Sequence, residues 1–427
     1  MSWLRSIRMI PLFLLTIGAA VPLASQAPTD SAPHLPLDEI IHLIATNYRV
    51  PISSDSLYRA ALHGILGTLD QYSKYYSPDE LKAFHQRLDG KIGGIGIQLA
   101  IDRATARYVI AGVFPDSPAQ ASGLEAQDTI LAVNDHRVTG DSLDAVMASI
   151  QGTPGTVVHL AIRRRGQSAL LHFTLTRAVV ELHPVRGSCR ENGKWQYYID
   201  AGRRIAYIEI TGFTTTAPAE LDSALAAVSR TGARGLILDM RDNGGGLIEA
   251  SEKMADFFLD TGSIVTVQWR GRADSTIKAE PGGATAIPLV ILVNENTGSA
   301  AELFTASLQD NGRATVIGAR TFGKGVYQHL YDLPDSGALR LTPGAYLRPS
   351  GRPIERHAPG ADSLHGGVWP DSGMTIRLSE AENQRRNQVL GDRDSGAGVV
   401  GGLACPSPST DDRALMRAVE VLSARPH

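Results

Sequence analysis

Two side chains of this 427-residue sequence, Ser299 and Lys324, have the types and surroundings to break bonds together. Ser299 follows an apolar run, Leu289 to Val293, that reads as a buried strand. The turn-forming Asn294-Glu295-Asn296-Thr297-Gly298 then delivers it to the start of a helix expected to run to about Gln309. Unpaired N–H groups and the positive end of the dipole favour negative charge at a helix start. The N–H of Ala300 is therefore a candidate donor to the oxyanion formed when Ser299 attacks a carbonyl. Serine is a weak nucleophile without a base. Thr297-Gly298-Ser299-Ala300-Ala301 lacks the second glycine of the esterase elbow, and no histidine sits there. Lys324, in Thr321-Phe322-Gly323-Lys324-Gly325, can serve if burial disfavours its ammonium form. In an extended chain Gln328 shares a face with Lys324, so its amide can orient the amine.

Two plainer readings compete. The stretch Gly318 to Gly325 nearly spells a phosphate-binding loop, but that motif needs Ser or Thr after the lysine and a helix beyond. Gly325 and a strand-like Val326-Tyr327-Gln328-His329-Leu330 follow instead. The other reading makes Ser299 a helix cap and Lys324 a surface charge. The spacing and the glycines bracketing Lys324 weigh against it.

These residues resemble the core of the C-terminal processing peptidases, the tail-specific serine peptidases of the Ser/Lys type. The resemblance implies Ser299 as nucleophile, Lys324 as general base and Gln328 as the orienting residue, and it extends over roughly Leu37 to Asp371. Arg241-Asp242-Asn243-Gly244-Gly245-Gly246 is similar to the family's second oxyanion segment. Motif register assigns Gly245 as the donor, with Gly244 and Gly246 left open. Gly367-Val368-Trp369-Pro370-Asp371 is similar to the closing motif. Leu69-Asp70-Gln71-Tyr72-Ser73 departs from the family's turn, where Pro and His stand in place of Gln71 and Tyr72. That segment reads as structural.

Gly90 to about Arg177 resembles a PDZ domain of the bacterial protease type. Gly93, Gly94, Ile95, Gly96 and Ile97 read as a glycine-rich turn entering a strand. Their N–H groups can hold a C-terminal carboxylate while the peptide adds as a strand beside Ile95 to Leu99. Gln127 stands where the family usually has glycine before Asp128, and Gln151 where several members have arginine. A β-rich interaction domain without peptide binding is the alternative.

The expected fold class is α+β and multidomain: a crotonase/ClpP-like core, an inserted PDZ domain and a helical N-terminal unit. The expected segments are 1–27 (export signal or membrane anchor), 37–89 (helical), 90–178 (PDZ), 185–376 (peptidase core) and 377–427 (linker and short helix). Arg5 and Arg8 before the apolar Met9 to Leu23 give the export pattern, which places the folded part in the periplasm or secreted, anchored if the segment is retained. A hydrophobic content of 43% and a charged content of 20% fit a globular protein, and a net charge of −3 argues against nucleic acid as a partner. Neither a metal nor an organic cofactor is implied, since the zinc-protease helix motif is missing and two cysteines are too few for a cluster. Export permits a Cys189–Cys405 bridge, with two unpaired thiols as the alternative. The expected partners are polypeptides with accessible C-termini, and the resemblance implies dimerisation through the N-terminal helices. Two rivals are a PDZ scaffold that has lost proteolysis and a relative built on a histidine-based tetrad.

Overall fold

The computed structural model describes residues 36–424, apart from 103–104, 115, 192–193, 335, 358–360, 362 and 396–410. The export segment and Cys405 lie outside the described residues. Cys189 is disulfide-bonded. The chain divides into two compact units, one reaching Ala61 and the other starting at Leu62. In the first, the helix Leu37–Asn47 buries Ile41, and Tyr58 donates to Asp38 Oδ1 at 2.9 Å. The helix Ser54–Leu66 runs across the boundary.

The second unit holds a sheet in which Ile205–Ile210, Gly235–Asp239, Leu289–Val293 and Ala314–Gly318 are parallel neighbours in that order. The first three strands are buried at every position, as continuous Val/Ile/Leu runs require when both faces are covered. One face packs against the helices Ala217–Arg230 and Ala300–Asp310, around Phe213, Phe258 and Phe304. A second, antiparallel sheet centres on Ala338–Leu347. That strand pairs with Val326–Asp332 along one edge, and with Lys74–Tyr76 and then Ser263–Trp269 along the other. The region from Leu37 to Arg87 is thus not wholly helical. Lys74–Tyr76 is a strand, and the next helix, Pro78–Leu88, opens on a Ser77/Glu80 capping box.

A third sheet runs Ile97–Asp102, Arg107–Val113, Thr129–Val133, Val157–Arg163 and Leu171–Thr176 in spatial order. Ile97–Asp102 is its edge strand, and the helix Leu143–Ile150 packs beside it. Gly93 and Gly94 do not belong to the turn expected of them. They continue the strand Lys91–Gly94, paired with Val179 and Ala178. Glycine is required at Gly93 because Gly152 O lies 2.6 Å from where a Cβ would stand. The turn is narrower, at Ile95 and Gly96, and only Gly96 has a positive φ, 82°. Gln127 adopts φ 71°, the left-handed conformation that explains a usual glycine there.

The C-terminal segment holds the short helix expected of it and a second helix besides. The helix Arg413–Ser423 covers the far face of the parallel sheet through Leu415, Ala418, Val419 and Leu422. A second helix, Glu380–Ser395, was missed because its polar composition leaves no apolar stripe to read. It docks through charge instead. Arg393 donates to Glu209 at 2.5 Å and Arg386 to Asp242 at 2.6 Å, and both arginines are buried. Its far end meets the third sheet so closely that a Cβ on Gly391 would stand 2.4 Å from Ala111 O. Gly391→Ala ought to gain about 1 kcal/mol of helix propensity at an uncrowded site. Here the clash decides: the variant is expected to melt lower and to be nicked faster between residues 90 and 200 in limited proteolysis. A raised melting temperature would refute the contact.

Candidate active site

Three parallel strands release their loops at the same sheet edge, the usual location of a site in such sheets. The loops are tied to one another. Asn243 Nδ2 donates to Ile210 O at 2.8 Å, and Gly298 N donates to Asn243 O at 2.9 Å. Thr297 Oγ1 donates to Met240 O at 2.9 Å, while Asn294 and Asn296 both donate to Asp242 Oδ1. Behind them Arg241 lies between Asp239 and Asp412 and is almost fully buried. Burial alone would raise the Asp239 pKa, but Arg241 and Arg386 hold it well below the carboxylate range.

Ser299 sits immediately before the helix Ala300–Asp310 with φ 55° and ψ −121°, a strained setting for a residue with a Cβ. Ala300 is the first helical residue, so its N–H has no acceptor within the helix. Gly245, φ 102°, passes directly over it. A Cβ there would lie 2.8 Å from Ser299 Cβ and 2.9 Å from Ala300 N. Only glycine fits. The Gly245 N–H donates to Asn243 Oδ1 at 2.9 Å, so the residue lines the site with its proton turned to Asn243.

Lys324 Nζ donates to Gln328 Oε1 at 2.8 Å and lies 4.7 Å from the centre of the Tyr72 ring. Burial is the main force that lowers its pKa to about 8, and Arg340 adds to it; Glu355, Asp70 and Glu302 act in opposition. Gln328 Nε2 in turn donates to Tyr72 O at 2.9 Å, fixing the amide so that its oxygen faces the amine. Ser299 and Lys324 are brought together, although no hydrogen bond joins Oγ to Nζ among the described residues.

What brings them together is Glu302, which sequence reasoning missed. Its side chain is 0% exposed and accepts from Ser299 N at 2.9 Å, Lys324 N at 2.8 Å, Gly323 N at 2.6 Å and Thr321 Oγ1 at 2.5 Å. Burial pushes its pKa up, against the pull of these four donors. The signal was present: Ser299-Ala300-Ala301-Glu302 spells a capping box. Tyr72 was missed as well, having been read as part of a structural turn. Asp70 builds that turn by accepting from Tyr72 N and Ser73 N, and so brings the Tyr72 carbonyl to Gln328. His357 bonds Phe322 O, two residues before Lys324, at 2.8 Å.

A parallel-sheet core with a serine at a helix N-terminus and a half-buried lysine, joined to a PDZ-like sheet, defines a class of serine peptidases. Family models agree: peptidase family S41 matches residues 204–372 and a PDZ domain matches 109–164. A carboxyl-terminal-processing protease of Synechocystis is 33% identical over 297 residues, covering 69% of this chain and 68% of its own. The carboxy-terminal-processing protease of Bartonella bacilliformis is 27% identical, covering 90% of this chain and 87% of its own. A solved structure described as an S41 protease from Bacteroides fragilis superposes with a TM-score of 0.51 at 16% identity, over 92% of this chain and 98% of that one. This chain belongs to peptidase family S41, among the carboxyl-terminal-processing serine proteases.

Proposed function

We propose that the protein cleaves exported polypeptides near their C-terminal tails with a Ser299/Lys324 dyad, its PDZ domain capturing or gating the tail. One observation carries this reading: a half-buried amine is oriented by Gln328, and Glu302 ties the backbone of its lysine to that of a serine at a helix N-terminus. Neutral Lys324 takes the Ser299 proton as Oγ attacks the carbonyl, and the resulting ammonium then protonates the leaving amine. Ala300 N–H receives the oxyanion, with the second donor from the Gly244–Gly246 turn. For Gly245 to be that donor, its N–H must turn from Asn243.

The finer architecture follows the same reading. Residues 185–376 form a crotonase-like peptidase core, 90–178 the inserted PDZ domain, and the helices within 37–89 a surface through which two copies pair. Residues 1–27 direct export to the periplasm or the medium. Native protein incubated with an unfolded substrate should yield fragments that Ser299→Ala does not, and a serine-directed phosphonate should label Ser299. Cleavage by the alanine variant would remove the dyad.

The open edge of Ile97–Asp102 supports tail capture by strand addition, with the carboxylate at the Ile95–Ile97 backbone. Amidating a substrate's C-terminus should then slow cleavage about tenfold through weaker capture. Deleting residues 90–177 should erase the difference between amidated and free tails. Equal rates for both peptides on the intact enzyme would exclude carboxylate recognition.

A further inference from the structure

Along Ala338–Leu347 the second edge has a gap between two partners: Lys74–Tyr76 pairs with residues 338–340 and Ser263–Trp269 with 344–347, and Arg270 N donates to Pro343 O at the rim of the gap. A cavity of about 800 Å³ opens there against Leu341, Thr342 and Pro343. Its aromatic wall is a chain of rings. Trp269 and Tyr327 meet at 4.6 Å between centroids, Tyr327 and His329 at 6.4 Å, and His329 and Tyr331 at 4.7 Å. Arg270 and Arg272 line the mouth, the latter 3.5 Å over the Trp269 ring. The cavity's carboxylate, Asp70, is already committed to the turn at Tyr72 and Ser73. That carboxylate keeps its charge, but two lining arginines against it leave the lining net positive.

Two chain segments form both this cavity and the support of the base. Asp70 and Ser73 line the cavity, and Tyr72 between them faces Lys324. Tyr327 and His329 line it, and Gln328 between them bonds Lys324 through a bulge in the ladder. We propose that the cavity is a substrate subsite for an aromatic residue adjacent to an acidic one, set apart from the PDZ domain. The ring stacks on the aromatic wall, and the carboxylate pairs with Arg272 and Arg270. The volume suits a few side chains, and the alternation of residues along the shared strand sets the cavity across that strand from Gln328, the partner of the base. This assignment rests on the dyad reading of Ser299 and Lys324.

The test uses a set of peptides in which a Phe-Asp pair is moved one position at a time along an otherwise Ala/Asn sequence. One placement should raise kcat/KM about tenfold with the native enzyme. Trp269→Ala and Arg272→Glu should each abolish that preference, with phosphonate labelling of Ser299 unchanged. No favoured placement, or a preference that survives in both variants, overturns the subsite. Should the native enzyme cleave no peptide and leave Ser299 unlabelled, the dyad reading fails instead. Binding to Ser299→Ala, read by fluorescence anisotropy of a labelled peptide, then decides the cavity. A Kd for the Phe-Asp peptide about tenfold weaker with Trp269→Ala added supports it, and an equal Kd overturns it.

Discussion

On the dyad reading, Lys324→Arg is expected to abolish cleavage and leave the fold intact, because a guanidinium cannot give up its proton at working pH. Arginine keeps the charge and most of the length, so a loss of rate reports on proton transfer more than on packing. The native enzyme has a matching pH signature. A lysine pKa lowered to about 8 leaves most of the base protonated at neutral pH. Cleavage should fall about tenfold per pH unit below 8 and level off above it. Gln328→Ala frees the amine to rotate and restores some hydration, so its rate should drop while remaining measurable. A well-folded Lys324→Arg enzyme with native turnover would rule out lysine as the base.

Glu302→Ala is the second large effect, and it acts on both folding and rate. The change leaves three backbone N–H groups and the Thr321 hydroxyl without their acceptor in a fully buried place. At about 1–3 kcal/mol for each unsatisfied group, partly offset by relaxation, the loss should reach about 4 kcal/mol. Glu302→Gln separates stability from chemistry. It keeps the shape and one acceptor oxygen but turns an NH₂ towards N–H donors, so the Ser299 and Lys324 loops shift relative to each other. A displacement near 1 Å costs about a hundredfold in kcat. Denaturant melts should therefore show Glu302→Gln folded, with kcat reduced and KM little changed. Native kcat in that variant would mean that Glu302 does not set the alignment.

Sequence legibility tracked periodicity and local motif. Leu289–Val293 and Ala300–Asp310 were readable because a buried strand and a capped helix each leave a continuous local signature. The turn at Gly93 and Gly94 was misread since glycine suits tight turns and crowded strands alike, and only the approach of Gly152 decides between them. Tyr72 could not be placed at the base. Its contact with Gln328 spans 256 residues and depends on a carbonyl, which every residue has. The helix Glu380–Ser395 escaped for a different reason. Its buried arginines find partners far away in the chain, and charge has no periodicity to betray burial.

The clasp formed by the two C-terminal helices also sets a schedule for biosynthesis. Asp412 reaches back 171 residues to Arg241, which supports the glycine turn beside Ser299. On a ribosome, the whole Ser299–Gln328 stretch emerges well before that carboxylate exists. Until it arrives, Ile237, Val290 and Leu292 lack their cover, and Arg241 lacks one of its two counter-charges. A nascent chain therefore has Ser299 and Lys324 while the glycine turn beside Ser299 still lacks part of its support. Support for the glycine turn is therefore among the last parts of the fold that the topology can complete.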